Sequence, residues 1–420
     1  MSEKAKKLST EPYKGVRDFF PEDMAVQNYI FGVWRKTAES FGYEEYGASV
    51  LEPAELYRAK SGEEIVNEQT YTFTDRGDRE VTLRPEMTPT VARMVSAKRR
   101  ELGLPLRWYS IPNLFRYEQP QRGRVREHWQ LNVDLFGADS PEADAEIVIL
   151  ASRIMETFGA KDSDFTIKIS SRAWLDKLFD DISADLEGFD ATFDNKNALL
   201  KLLDVKAKDP DRFDREIVKL HPKLSGDFIA RKSKALQTSE EKSYADLEKL
   251  VATLGNMGIK NVELALTEIV RGFDYYTGMI FEIFDTDPSN RRSLFGGGRY
   301  DDLTSLFGGE RIPAVGFGMG DLPVKNFLET HGLLPAPKSR TDIHVCTTSS
   351  ELVAKAEELA TKLRAKGMNV SVNLTSKKIG DQIAWADKRG IPKVVVVGEE
   401  EAKTGKYKAK ELATGAEAPL

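Results

Sequence analysis

The sequence predicts an α+β domain built on an antiparallel sheet, interrupted by a helical insertion and followed by a small α/β domain. Three observations carry this. Runs with two-residue alternation, the clearest at His128–Phe136, mark strands that pair through hairpins. From about residue 160 to 261 strand patterning gives way to lysine- and aspartate-rich stretches with helical spacing. From Arg340 onward strands and helices alternate as βαβαβ, the pattern of a parallel sheet.

The 420 residues suffice for two or three domains with real cores. Basic and acidic residues number 61 and 67, a net charge of −6, which excludes a general polycationic coat for nucleic acid. Any such contact has to come from local patches. Cys346 is the only cysteine, so an intrachain disulfide and a cysteine-based zinc cluster are excluded and a reducing compartment is expected. No apolar run reaches transmembrane length, and Met1–Lys7 lacks the apolar region of a signal peptide. A soluble, cytoplasmic protein with no membrane partner is expected.

In chain order, residues 11–21 read as an irregular entry segment. Met24, Tyr29, Ile30, Val33 and Trp34 give Glu22–Ser40 helical spacing, and a strand over Glu45–Leu51 follows, ending at Glu52-Pro53. Residues 70–83 form two strands around the turn Asp75-Arg76-Gly77-Asp78. Leu83-Arg84-Pro85-Glu86-Met87-Thr88-Pro89 then opens a helix, with Thr88 expected as N-cap and Pro89 in its first turn. That local explanation gives Glu86 no task.

The most informative stretch is Leu106–Gly137. Trp129, Leu131, Val133 and Leu135 point one way, and Gln130, Asn132 and Asp134 the other. Pairing through the loop Gln119–Glu127 puts Arg116, Glu118, Gln130 and Asp134 on one face. Alternation alone fits an amphipathic hairpin with that face in water. The loop Gln121-Arg122-Gly123-Arg124-Val125-Arg126 favours an anionic partner, because three arginines around a glycine repel one another without one. A phosphate-bearing substrate answers both features.

Ser140 is the expected cap of a helix reaching about Phe158, and weakly patterned helices fill the lysine-rich middle. Gly272 and Gly278 bracket Phe273-Asp274-Tyr275-Tyr276-Thr277, where the backbone must bend or approach something closely. A loop with two tyrosines packed on the core is the plain reading of that pair. The runs Phe295–Arg299 and Gly316–Gly320 lack the lysine of a phosphate loop and the context of a dinucleotide fold, and neither reading is kept. Asp321 is expected as an N-cap, with Pro323 in the first turn. After a linker with Pro335 and Pro337, the C-terminal pattern runs strand 343–347, helix 350–366, strand 369–374, helix 377–389 and strand 393–397.

Phe115-Arg116-Tyr117-Glu118, Arg124, Gln130 and Asp134 resemble motif 2 of the class II aminoacyl-tRNA synthetases in its histidyl form. Arg271-Gly272-Phe273-Asp274-Tyr275-Tyr276-Thr277-Gly278 and Gly297-Gly298-Arg299-Tyr300-Asp301 resemble the two histidine-specific motifs of the histidyl-tRNA synthetases. The helix, strand and Pro53 resemble motif 1, residues 313–331 motif 3, and the C-terminal domain the anticodon-binding domain of the family. The resemblance implies a class II synthetase domain in two parts, 1–160 and 262–330. It further implies a helical insertion at 161–261 contacting the tRNA acceptor arm, a linker at 331–340, and an anticodon-binding domain at 341–420.

It also implies substrates and roles. Histidine would be activated with ATP and passed to tRNA(His) by a homodimer, with Mg²⁺ beside the nucleotide and no metal held by protein ligands alone. Arg116 and Arg271 would be the catalytic pair at the α-phosphate and also border the histidine. Glu86, Met87, Thr88, Gln130 and Asp134 would hold the histidine, with Tyr275 and Tyr276 enclosing its imidazole. Glu118, Arg124 and His128 would complete the ATP site, and Gln121 and Arg126 would meet tRNA. Three positions depart from the motifs: Pro323 stands where motif 3 has an arginine that clamps ATP, Gln119 where arginine is common, and Asp134 where glutamate is usual. Arg124, Arg271 and Mg²⁺ could suffice without that arginine, or another such as Arg311 could replace it. The rival reading is a histidine-sensing regulatory subunit of ATP phosphoribosyltransferase; it lacks an anticodon domain, and only Pro323 favours it.

Overall fold

A computed structural model describes residues 8–58, 69–119, 123–190, 192–206, 209–239, 241–269, 275–290, 292–336 and 339–420. The chain divides into two compact units between Leu334 and Pro335.

The first unit opens with α1 (Pro21–Ser40), begun by a proline with Glu22 and Asp23 in its first turn and buried along Gln27, Ile30, Trp34 and Ala38. The single strand expected next is two short ones, β1 (Glu44–Glu45) and β2 (Leu51–Pro53). Their backbones face different partners: Tyr46 N donates to Tyr109 O at 2.8 Å, whereas Val50 O accepts from Arg84 N at 2.9 Å. After α2 (Glu55–Arg58), β3 (Tyr71–Thr74) and β4 (Glu80–Leu83) form the expected hairpin, and β2-β4-β3 make a small antiparallel sheet. Asp75 accepts from the N–H groups of Gly77 and Arg79 and closes that turn. The next helix, α3 (Thr88–Ala97), has Met87 at its N-cap and no side-chain cap. Thr88 therefore does not cap it.

β5 (Leu106–Ser110) and β6 (Asn113–Phe115) both pair with β7 (Glu127–Phe136), in registers Trp108↔Asp134 and Leu114↔His128. They are separate strands because Pro112 has no N–H to continue the ladder. Ser140 Oγ accepts from Ala143 N and starts α4 (Pro141–Thr157). Within 161–261 the first element is β8 (Phe165–Ser171), which pairs with the central sheet. The helices thus begin only at Arg172: α5 (Arg172–Asp185), α6 (Phe193–Lys206), α7 (Pro210–Leu220), α8 (Gly226–Thr238) and α9 (Lys242–Asn256).

β9 (Val262–Leu264), β10 (Met279–Asp285), β11 (Ser293–Arg299) and β12 (Ala314–Gly320) complete the sheet, and α10 (Asp321–Thr330) follows. Its order is β1-β5-β7-β12-β11-β10-β8-β9, with β6 alongside β7. The pairings are antiparallel except at the two edges, β1 with β5 and β8 with β9. The glycine run of β11 is a strand: a Cβ on Gly297 would lie 1.9 Å from Gly316 O, and one on Gly298 2.5 Å from Met279 O. These glycines let three strands approach more closely than side chains would permit.

The second unit is a sheet ordered β14-β13-β15-β16-β17, built from β13 (Ile343–Thr347), β14 (Val370–Val372), β15 (Lys393–Val397), β16 (Lys408–Glu411) and β17 (Glu417–Pro419). Strands β14, β13 and β15 are parallel. Helices α11 (Val353–Ala365) and α12 (Ile379–Lys388) are the crossovers, as the βαβαβ pattern predicts. The sequence reading missed α13 (Glu399–Thr404) and the last two strands, which lack alternation and are largely exposed.

Candidate active site

Three elements converge on the turn Arg84-Pro85-Glu86. The buried Arg84 donates from Nε to Asn113 O at 3.0 Å and from Nη1 to Ala48 O at 2.8 Å, tying the turn to β6 and to the approach to β2. Arg116 Nε donates to Pro85 O at 2.9 Å. Its terminal nitrogens have no hydrogen-bond partner among the described residues. Glu86 is buried, and its Oε2 accepts from the hydroxyl of Tyr275 at 3.1 Å. Met87 is buried beside it and Thr88 is half-buried.

A second carboxylate stands on β7. Asp134 is 3 % exposed; Oδ1 accepts from the Tyr300 hydroxyl, and Oδ2 is buried with no partner among the described residues. Burial pushes its carboxyl up to about 7, against the pull of the Tyr300 hydroxyl in the other direction. Rings of Tyr275 and Tyr276 lie 5.0 Å apart, and Tyr275 meets Tyr300 edge-on at 5.8 Å. Both tyrosines of the pair are buried, at 5 % and 9 % exposed. Tyr275 bridges the aromatic cluster to Glu86.

The facing strand makes room for these side chains. A Cβ on Gly316 would come within 2.8 Å of Asp134 Oδ1, and one on Gly318 within 2.2 Å of Gln130 Nε2. Glycine at every second position of β12 is a sequence signal for this, since alternate residues share a face. His128, Gln130, Asn132 and Asp134 accordingly line one face of β7.

On the loop side, Glu118 pairs with Arg124 at 3.2 Å. His128 has a buried Nδ1 with no partner among the described residues; burial first, then the guanidiniums of Arg116 and Arg17, push its imidazole down to about 3. It is neutral at physiological pH. Arg126 is packed against the entry segment. It is 8 % exposed, its guanidinium lies 3.9 Å from the Tyr117 ring centroid, and Nη1 donates to Tyr13 Oη at 3.0 Å. Those contacts tie it to the entry segment. Gln121 and Arg271 lie outside the described residues.

At the start of α10, Asp321 is not the N-cap, which is Gly320. Its carboxylate instead accepts from Trp129 N at 3.1 Å and pairs with Arg17 at 2.8 Å. Nothing in the sequence alone pointed to Arg17. Arg311 is engaged elsewhere, with Asp301 at 2.7 Å and Asp302 at 3.0 Å. Arg299, the arginine of Gly-Gly-Arg-Tyr-Asp, is buried on Asp144 and Asp301. Its partner Asp144 is pushed up to about 6 by burial despite the nearby guanidinium. Among the described residues no group of three or more histidine, cysteine or carboxylate side chains could hold a metal ion.

The arrangement is two buried acceptors walled by tyrosines, next to an arginine whose terminal nitrogens have no partner among the described residues. It can bind a small cation that also carries ring N–H groups, and place it against a phosphate. A histidyl-tRNA synthetase family model matches residues 15–321, and an anticodon binding domain model matches 342–419. The chain is 44 % identical to the histidine–tRNA ligase of Leptospira biflexa, over 98 % of this chain and 95 % of the relative. To the histidine–tRNA ligase of Thermoplasma volcanium it is 35 % identical, over 97 % and 95 %. The crystal structure of apo S. aureus histidyl-tRNA synthetase superposes with a TM-score of 0.73 at 25 % identity, covering 98 % of this chain and 97 % of that one.

Proposed function

The chain belongs to the histidyl-tRNA synthetase family, and from that premise we propose how its residues divide the reaction. It is a class II histidine–tRNA ligase, joining histidine to ATP as an adenylate with release of pyrophosphate and then to tRNA. The rival regulatory-subunit reading fails on the ligase relatives at 44 % identity and on the anticodon binding domain at 342–419.

Adenylate formation is an in-line displacement at the α-phosphorus by a carboxylate that is already ionised, so this step needs no base. Its difficulty is holding two anions together, which positioned cations overcome. Arg116 presents its terminal nitrogens to the α-phosphate, with Arg271 as the second cation there by resemblance. Glu86, Met87 and Thr88 receive the ammonium group and Gln130 assists. Asp134 takes a ring N–H of the imidazole between Tyr275 and Tyr276. His128, held neutral, and Glu118 with Arg124 serve the nucleotide. Arg17, anchored on α10 by Asp321, is the cation that stands in for the missing motif 3 arginine. Mg²⁺ would be carried mainly by the phosphates, where it supplies charge neutralisation. Gln121 is assigned to the tRNA end, and a cytoplasmic homodimer acting on tRNA(His) is the expected working form.

One observation carries these assignments: Glu86 and Asp134, on different elements, are each gripped by a tyrosine from the histidine-specific motifs. Charging of a tRNA(His) transcript with labelled histidine tests them. Wild-type protein should charge and Glu86→Ala should not; charging that survives the substitution would refute the ammonium site.

A further inference from the structure

Three hydroxyl or carboxylate groups on neighbouring strands are buried without hydrogen-bond partners among the described residues: Tyr46 Oη, Ser110 Oγ and Asp134 Oδ2. They are not scattered. Glu44↔Trp108 and Glu45↔Tyr109 are parallel partners, so Tyr46, whose N–H donates to Tyr109 O, comes level with Ser110. Trp108↔Asp134 and Ser110↔Asn132 make Ser110 a diagonal neighbour of Asp134 across β5 and β7. Alternation then puts all three side chains on one face of the sheet. Burial above all pushes the Tyr46 phenol up, the Asp134 carboxylate adds to that and the Ser110 hydroxyl opposes it, which agrees with that placement.

Buried polar groups are almost always satisfied, so a contiguous set left unsatisfied points to a ligand that completes it. The set lies on the far side of Asp134 from Tyr300, which already occupies Oδ1. Building on the histidine-binding role given to Asp134 above, we infer that Tyr46 and Ser110 are specificity-determining residues for the imidazole of the substrate. Asp134 accepts one ring N–H through Oδ2. The two hydroxyls, which can donate and accept, meet the remaining ring nitrogen. A side chain of similar size without paired ring nitrogens leaves these groups desolvated and unpaired. Sites built to hydrogen-bond a substrate reject its apolar isosteres strongly for that reason.

The test is pyrophosphate exchange by wild type, Tyr46→Phe and Ser110→Ala, each with histidine and with β-(2-thienyl)alanine, alongside thermal unfolding of each protein. Each variant deletes one hydroxyl and keeps the shape of the wall. The expected result is a KM for histidine raised about tenfold or more, the loss typical of one hydrogen bond to a charged group, with kcat and the KM for ATP unchanged. Discrimination against the thienyl analogue should fall by the same factor. A histidine KM within twofold of wild type, or equal losses on both amino acids, would overturn the inference while leaving the histidine ligase reading intact. If either variant unfolds, calorimetric titration of histidine onto Tyr46→Trp, which fills the space and removes the hydroxyl, takes its place and must show the same loss. Absence of histidine-dependent exchange in the wild type would overturn the inference together with the reading it rests on.

Discussion

The hydroxyl of Tyr275 lies 3.1 Å from Oε2 of Glu86, joining residues 189 positions apart in the chain. This contact links the turn before α3 to the segment before β10, and so closes the proposed amino-acid pocket from both halves of the first unit. A buried carboxylate that accepts such a bond is held in one rotamer and kept ready for an ammonium group.

Tyr275→Phe deletes that bond and keeps the ring. The KM for histidine should rise about tenfold or more, given the usual worth of a hydrogen bond to a charged group. The KM for ATP should stay where it is. Steady-state exchange kinetics with each substrate varied in turn check this; equal changes in both constants would assign Tyr275 to general packing.

Asp134 makes stability depend on pH in a defined direction. Its carboxyl is pushed up to about 7 in the fold, against about 4 in an unfolded chain. The folded state therefore keeps a proton that the unfolded state has lost between those values. Its contribution is complete below about pH 4 and disappears as pH rises through about 7. Asp134→Asn, which cannot titrate, should gain on the wild type as pH rises from 5 to 8, seen in denaturant midpoints of the ligand-free protein. Parallel curves would contradict the assignment.

Two glycine substitutions should separate site from scaffold. In Gly318→Ala the new methyl meets the flexible end of Gln130 at 2.2 Å, so Gln130 moves and histidine activation falls while the fold persists. In Gly297→Ala the methyl meets backbone, Gly316 O at 1.9 Å, and three strands must part. Loss of folded protein is expected there, by a shift of several kcal/mol typical of overpacking and strain. Circular dichroism and exchange assays on both variants check the contrast.

Among the arginines, Arg271→Ala should lower adenylate formation about a hundredfold or more, as loss of one preorganised donor does. Arg17→Ala should instead raise the KM for ATP about tenfold, with histidine binding unaffected, as for a lost charge-assisted contact. Single-turnover rates with ATP varied distinguish the two; an unchanged ATP dependence in Arg17→Ala would leave that residue only the task of anchoring α10.

Much of this was legible in the chain before any coordinates. Two-residue alternation gave β7 and its polar face, and Asp75–Asp78 gave the hairpin turn, because both are local properties of backbone and side chain. The division of β5 from β6 was written in Pro112 but is read only once β7 is known to pair with both. Thr88 and Asp321 look like helix caps in sequence; Thr88 falls one residue inside its helix, and Asp321 places its carboxylate on Arg17 and Trp129. Tyr46 and Ser110 were invisible because isolated polar residues in short strands carry no periodic signal. The packing of Arg126 on the rings of Tyr13 and Tyr117 depends on contacts distant in the chain and carries no local signal.

The most direct measurement is ATP–pyrophosphate exchange with each of the standard amino acids supplied singly. Two buried carboxylates braced by tyrosines beside Arg116 predict label incorporation with histidine and with no other. Exchange supported by a different amino acid, or by none, would contradict it.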